Sequence, residues 1–444
     1  MPNRRVWRIA SRVIVIFLVT VLLFFQRVDR IPYTEQKYFQ QAQELIEEAR
    51  DRYQPTQGSL LKVGWSRKNI TPEQPAHLMG YGWKGDYEEV HDSLWVRTMV
   101  LQLDTLSIGI VAYDLMLTPP DVAQRVRDTL ALLSIDQVYF SAIHTHHGYG
   151  GWVRGLGREV IAGRYQPHLV QQLVDQTTQA LAQAQQQVLP AQVGYAEINL
   201  DSLVNNRLVK DGKVEPYLRA LFFRREDSSM GVFSSFSAHA TFVDHKSQQL
   251  SADYPGELVR QLELNLSIDF ALFAAGAVGS HSPHQPKPFS YPNLQQYSSQ
   301  LATPILEVID QIAFDSVTQL GFSEIELPVG EPQLRIAKNW RVRPFWFRQI
   351  MGKLSPSLTF LQIGNITLVG TPGDFSGLLY EKVNADRGPV MVTSFNGEYI
   401  GYIIPSAYYR LDHRETRSIN WFGPYTGDYI TDIINQNLEY IRKY

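Results

Sequence analysis

The chain contains no cysteine in 444 residues. That excludes disulfides, thiolate metal ligands and cysteine nucleophiles, leaves His, Asp, Glu, Tyr and Ser to carry any chemistry, and makes an oxidising compartment harmless to it. Charge bias is small, with 41 basic residues against 44 acidic ones, and no Lys/Arg-rich run occurs beyond the first thirty residues. Nothing in such a chain tracks a phosphate backbone, so no nucleic-acid partner is expected. Internal repeats and low-complexity tracts are missing too, and a long apolar run occurs only at the amino terminus. What remains is 44% hydrophobic and 19% charged. That balance rules out a disordered tail, a collagen-like chain or a polytopic membrane protein, and it supplies ample chain for a large core.

Arg4, Arg5, Arg8 and Arg12 precede a mostly apolar run over 13–25, which Gln26, Arg27 and Arg30 end. A basic segment followed by a hydrophobic one is the order of a targeting sequence. The strict run is shorter than the ~20 residues of a spanning helix, but Ile9 and Ala10 extend it and Arg12 and Arg27 can snorkel. No small-x-small cleavage site follows in Phe25-Gln26-Arg27-Val28-Asp29. An uncleaved signal anchor is expected, its arginines holding the amino terminus in the cytoplasm and the remaining chain on the periplasmic or extracellular side. A cleaved secretion signal gives the same compartment. The expected organisation is a cytoplasmic basic segment and signal-anchor helix over 1–30, a helical stalk over 31–58 and one catalytic domain over 59–444.

Within the stalk, 34–53 has the pattern of a polar amphipathic helix, closed by the turn Pro55-Thr56-Gln57-Gly58. Strands are predicted over 61–65 and 95–103. The stretches 107–113, 121–133 and 137–143 then read strand, helix, strand, a unit whose strands pair in parallel through a right-handed crossover. Residues after its second strand lie at the carboxyl end of a sheet, where open α/β folds place their sites. Beyond it come a helix over 166–187, strands over 191–200, 217–225 and 231–240, a helix after Pro255 and a strand over 269–275. A Pro-rich loop over 280–292 and a helix over 295–312 follow. Strands near Gly321, Phe360 and Ile366, a helix after Pro372 and a strand over 390–393 complete the pattern. The expected fold class is α/β, with mixed sheets and flanking helices forming one large domain behind an amino-terminal transmembrane helix.

The densest cluster of chemistry is Ile143-His144-Thr145-His146-His147-Gly148, directly after a predicted strand. Side chains two apart on an extended segment share a face, so His144 and His146 can enter one cavity, one imidazole for a metal and the other for a substrate. His239 ends another predicted strand in Ser237-Ala238-His239-Ala240-Thr241. With the first cluster it can complete the nitrogen ligands of a zinc site, which a carboxylate usually fills out while one position stays open.

These segments resemble the neutral, or neutral/alkaline non-lysosomal, ceramidase family. The family's Thr-His-Thr-His-Ser-Gly-Pro-Gly-Gly segment is similar to Ile143-His144-Thr145-His146-His147-Gly148-Tyr149-Gly150-Gly151, and its Asn-Arg motif to Asn206-Arg207. Its His-Pro-Thr and later Ser-Gly-Asp resemble His239-Ala240-Thr241 and Ser251-Ala252-Asp253. Gly-Asp-Val-Ser-Pro resembles Gly279-Ser280-His281-Ser282-Pro283, and Pro-Gly-Glu-Phe resembles Pro372-Gly373-Asp374-Phe375. A Tyr-rich stretch ending in Tyr/Phe-Gly-Pro-x-Thr resembles Tyr402 through Phe422-Gly423-Pro424-Tyr425-Thr426. The motifs keep the family's order over about 61–426.

The resemblance implies zinc (Zn2+) held by His144, His239, Asp374 and Tyr402, roles beside the metal or on the transition state for His146 and Arg207, and a catalytic or substrate-binding hydroxyl at Ser282. Ser282 lacks a Gly-x-Ser-x-Gly elbow, which favours a substrate hydrogen bond over a covalent role. The chain departs from the family pattern in places. Asp374 stands for a glutamate, Ser280-His281 for Asp-Val, and Arg414 for a second functional tyrosine, and the family's carboxy-terminal β-sandwich is expected to be missing. The implied activity is metal-assisted hydrolysis of the N-acyl amide of ceramide or a ceramide-like lipid to a fatty acid and a sphingoid base. Membrane anchorage suits such an amphiphilic substrate. A zinc amidase for another amide, such as an N-acyl amino acid or a cell-wall fragment, and a non-catalytic anchored binding protein are the alternatives.

Three features stay open on the residues alone. Asp114 either supports the site or caps a loop before Pro119. His281, His284, Phe289 and Tyr291 belong either to a substrate lid or to a solvated loop. Trp340, Phe345, Trp346 and Phe347, with Arg341, Arg343 and Arg348 interleaved, suit either a lipid surface or the core.

Overall fold

The computed structural model describes residues 4–82, 84–386 and 388–443; residues 1–3 of the expected basic segment lie outside them. The amino-terminal apolar run forms one helix, α1 (Arg4–Phe24). Over Trp7–Phe24 it is long and apolar enough to cross a membrane, and none of the described side chains in that window is buried. The predicted stalk helix forms as α2 (Lys37–Arg52). It does not stand off as a stalk, because Ala42, Ile46 and Ala49 are buried in a core shared with the carboxy terminus.

Eight strands build the larger sheet: β1 (Lys62–Asn69), β2 (Trp95–Leu103), β3 (Leu106–Tyr113), β4 (Gln137–Ala142), β5 (Leu189–Asn199), β6 (Tyr217–Arg225), β7 (Met230–Phe236) and β8 (Phe270–Ala275). Their order across the sheet is β8-β7-β6-β5-β1-β2-β3-β4. Both outermost pairs, β3 with β4 and β7 with β8, are parallel, while the pairs between them are antiparallel. The predicted parallel β3–β4 unit is therefore present. Its crossover carries α3 (Pro120–Arg127), which gives way to a 3-10 turn over Leu130–Leu133 where one longer helix was expected.

Strand β8 shows why these strands carry nearly continuous apolar sequence. Phe270, Leu272 and Ala274 face one core and Ala271, Phe273 and Ala275 the other, so both faces are buried. On one face pack α3, α5 (Pro167–Gln186), α6 (Asp253–Glu263) and α7 (Tyr291–Val308), whose buried stripes complete that core. Between α3 and α5 lies the short helix α4 (Leu156–Ala162). The opposite face meets a second sheet of β9 (Gln319–Glu326), β10 (Ser357–Ile363), β11 (Ile366–Thr371) and β12 (Val390–Ser394), extended at one edge by Thr56–Gln57. Between β9 and β10 lies α8 (Pro344–Met351). The outer face of the second sheet is covered by α2 and by α9 (Thr426–Ile441). The layers thus run helix, sheet, sheet, helix, a mixed α/β architecture.

The two ends of the large sheet are not far apart. Strand β8 is in contact with both β3 and β4, the strands at the opposite end of the order. The sheet is therefore curled until its edges meet, and the residues after β4 and after β7 arrive at one place.

Candidate metal centre

His144 follows β4 by two residues and His239 follows β7 by three. Their Nε2 atoms face each other at 2.9 Å, and Nε2 of His146 lies 3.2 Å from that of His144. All three side chains are buried, and one ligand atom from each falls within 4.8 Å of the others. His144 reaches this position through a left-handed backbone, φ 65°. The expected extended His144-x-His146 segment is thus replaced by a turn, and it is the turn that makes the rings converge. Strain of this kind persists where the surroundings over-determine it. Here the His144 ring stacks on Phe395 at 3.9 Å, and Phe395 itself has φ 69°. Gly80 closes over His146: a Cβ at Gly80 would lie 2.6 Å from the His146 Cα, so only glycine fits.

The carboxylate comes from the other half of the chain. Asp374 begins a two-residue strand, Asp374–Phe375, paired in parallel with Tyr402–Ile403. Its Oδ1 lies 3.4 Å from Nε2 of His144 and 3.7 Å from Nε2 of His239. The Tyr402 hydroxyl lies 3.4 Å from Nε2 of His239. Two atoms sharing a tetrahedral metal at 2.0–2.1 Å are about 3.3 Å apart, so these separations suit a common ion.

Protonation states give the same answer. Nδ1 of His144 donates to the Met116 carbonyl at 2.7 Å, and Nδ1 of His239 to that of Val278 at 3.2 Å. With Nδ1 protonated, each Nε2 carries a lone pair, and the two lone pairs point at each other. Adding protons is opposed: burial pushes His144 down to about 3 and His239 well below its ordinary value. Burial also pushes the Asp374 carboxyl up to about 7, against a hydrogen bond from Tyr399 and the nearby Arg207. Its Oδ1 is buried with no hydrogen-bond partner among the described residues. Facing lone pairs beside an orphan carboxylate oxygen fit a bound cation.

His144, His146, Asp374 and Tyr402 of the centre line a cavity of about 330 Å³. Met79, Met116, Leu117, Val153, Ile161 and Trp421 supply apolar lining, and Arg207, Asp374, Tyr399 and Tyr402 supply polar groups. Arg207 is held by Glu415 at 3.0 Å, and its Nη1 is buried without a hydrogen-bond partner among the described residues.

Other candidates fall elsewhere. Ser282 sits in a short ladder, paired with Asn205, and is not among the residues lining the cavity. His147 turns away, its Nε2 3.2 Å from Nζ of Lys84. His281 belongs to no lid: it is fully buried, accepting from the Glu215 N–H at 3.0 Å through Nε2 and bonded to the Ser280 hydroxyl through Nδ1. Asp114 accepts from the Trp95 N–H at the start of β2 at 2.9 Å and lines a separate cavity, so it does not support the centre. Of the aromatic stretch, Phe347 is core and Phe345 is exposed. Three contributors went unseen in the sequence: Tyr399, which donates to Oδ2 of Asp374 at 2.6 Å, Glu415 and Phe395. The spacing Tyr399-x-x-Tyr402 was the available signal for the first.

Residues 61–284 match the family described as neutral/alkaline non-lysosomal ceramidase, N-terminal. The chain belongs to this ceramidase family. A curated relative, the neutral ceramidase of Mycobacterium tuberculosis (strain ATCC 25618 / H37Rv), is 23% identical over 293 residues, covering 60% of this chain and 45% of the relative. The chain thus spans less than half the length of that ceramidase. The crystal structure of neutral ceramidase from Pseudomonas aeruginosa matches with TM-score 0.71 at 17% identity, over 87% of this chain and 75% of that one. A second solved structure, a ceramidase complexed with C2, gives TM-score 0.71 at 17% identity over 87% and 76%. The fold is therefore that of the neutral ceramidases. The family match ends at residue 284, so Asp374, Tyr402 and Glu415 join the centre from beyond it.

Proposed function

We propose that the protein is a membrane-anchored, zinc-dependent amidohydrolase that cleaves the N-acyl amide of ceramide or a ceramide-like lipid, with its catalytic domain on the extracytoplasmic side. The observation that carries this reading is the convergence of His144, His239, Asp374 and Tyr402, lone pairs inward, at a cavity with apolar lining. These four would hold the ion. When bound, zinc supplies Lewis acidity for polarising an amide carbonyl and activating water. The remaining work falls to the chain. Arg207, held by Glu415 with Nη1 left over, can donate to the oxyanion that develops on the amide carbonyl. His146, beside the ligands and lining the cavity, can take a proton from water and pass it to the departing amine. The apolar lining receives the acyl chain and keeps bulk water away. Ser282 is given no role.

The test uses the full chain, with zinc content and fatty-acid release from ceramide measured for wild type and His144→Ala. About one zinc per chain with turnover, both lost in the variant, is expected. A wild type without zinc would overturn the metal assignment. One observation favours a second substrate. Arg414 lines the cavity where the family resemblance aligns a tyrosine, which suits an amide whose head group is anionic, such as an N-acyl amino acid. A panel of neutral and anionic N-acyl amides separates the two.

A further inference from the structure

The cavity has an edge that the chemistry does not explain. Met351, the last residue of α8, and Arg158 and Ile161 of α4 form part of its lining. The two helices are locked together: a Cβ on Gly157 would lie 2.1 Å from the Ile350 side chain, and Nε of Arg158 donates to the Met351 carbonyl at 2.8 Å. Beside this joint they expose large apolar side chains, Val160 at 60% and Phe345 at 59%, with nearby Trp340 at 38%. Core packing accounts for none of these.

The other end of α8 is tied to α1. The Arg343 N–H donates to the Phe24 carbonyl at 2.9 Å, Nε of Arg343 to that of Leu22 at 2.7 Å, and Nε1 of Trp346 to that of Leu23 at 3.0 Å. The Phe24 and Trp346 rings stack at 4.6 Å, and Phe25–Arg27 pairs with Trp340–Val342. The last carbonyls of the apolar helix, which no further turn of α1 satisfies, are thus capped by α8 and the residue before it. A helix in a bilayer ends at the interface, so the start of α8 lies at that level. At 1.5 Å per residue, α8 carries the chain only about 10 Å further before Met351 meets the cavity. That distance is comparable to the headgroup layer.

We infer that α8 and α4 form a docking face for the outer leaflet of the bilayer, so that the cavity opens at the membrane surface and an amphiphile enters it without crossing water. The occupant is the lipid surface, because the face continues directly from α1, the helix that among the described residues is long and apolar enough to span a membrane, and alternates apolar, aromatic and arginine side chains as interfacial segments do. The inference rests on α1 lying in the bilayer and on the lipid-amide reading for what passes through. It says further where the membrane must be.

The absence of cysteine makes the test direct. Single variants Ile14→Cys, Val160→Cys, Phe345→Cys and Leu132→Cys of the full chain are labelled with one fluorophore and reconstituted into phosphatidylcholine–phosphatidylglycerol vesicles with brominated acyl chains. Leu132 is exposed at the opposite end of β4 from the centre and serves as the water reference. Labels at 14, 160 and 345 should be quenched and the one at 132 spared. Quenching at 14 but no more at 160 and 345 than at 132 overturns the docking face. No quenching at 14 overturns the anchor and the docking face with it. In a second arm, Val160→Glu and Phe345→Glu should lower hydrolysis of vesicle-embedded long-chain ceramide by roughly tenfold, as weaker partitioning of the face predicts, and spare a soluble short-chain N-acyl amide. Equal loss on both substrates also counts against it. Quenching is read without turnover, so a chain inactive on every amide would sink the amidase reading while the labels still decide the docking.

Discussion

Tyr399 donates its hydroxyl to Oδ2 of Asp374 and leaves Oδ1 alone toward the imidazoles. Partners of this kind fix which ligand atom a metal sees and hold it there before the ion arrives. Tyr399→Phe should therefore weaken metal binding roughly 10–100-fold, the usual cost of removing such a partner, with the fold kept. Competition against a chelator of known affinity measures it, and an unchanged affinity would show that the hydroxyl does no positioning. At this scale the sequence was informative where chemistry is dense and local. His144, His146 and His239 could be found from strand ends and spacing, and Asp374 and Tyr402 from family order. Phe395 and Glu415 could not, because a ring stacked on an imidazole and a carboxylate holding Arg207 have no pattern along the chain.

The elements tell a similar story with a different cause. Strands buried on both faces announced themselves by apolar runs, and β4 and β8 lie within a residue or so of expectation. What misled was α2. Its polar face is long and its apolar stripe narrow, which reads as a solvated stalk until its partner is known. That partner, α9, lies at the far end of the chain, and Ile46 is 2% exposed against it. Burial of that stripe implies that α2 is part of the folded unit. Ile46→Ala should then destabilise the whole domain by about 2–5 kcal/mol, the range for a buried large-to-small change, seen as a lower urea midpoint of the tertiary signal. A free stalk would give no shift.

At the scale of the whole molecule, the centre sits on a seam. Its imidazoles follow the end strand β4 and β7, which neighbours the opposite end strand β8, and its carboxylate follows the second sheet's β11. A cation held by all of these residues would bind only the closed form, and a ligand at a thousand times its Kd stabilises the state it binds by about 4 kcal/mol. Removing metal with a chelator should therefore speed amide exchange first in β4 and β8, where the edges meet, and leave β1 and β2 in mid-sheet protected. Uniform loosening, or none, would show that the seam holds without the ion. The curled sheet also has a meaning in time. During synthesis His144 emerges first, His239 follows 95 residues later, and Asp374 only after the residues of β9, β10 and β11 have been made. No two of these residues can share an ion until distant parts of the chain have found one another. Capture of an ion by the full set of His144, His239 and Asp374 would thus report completed folding: a chain truncated before Asp374 would carry the histidines without the carboxylate.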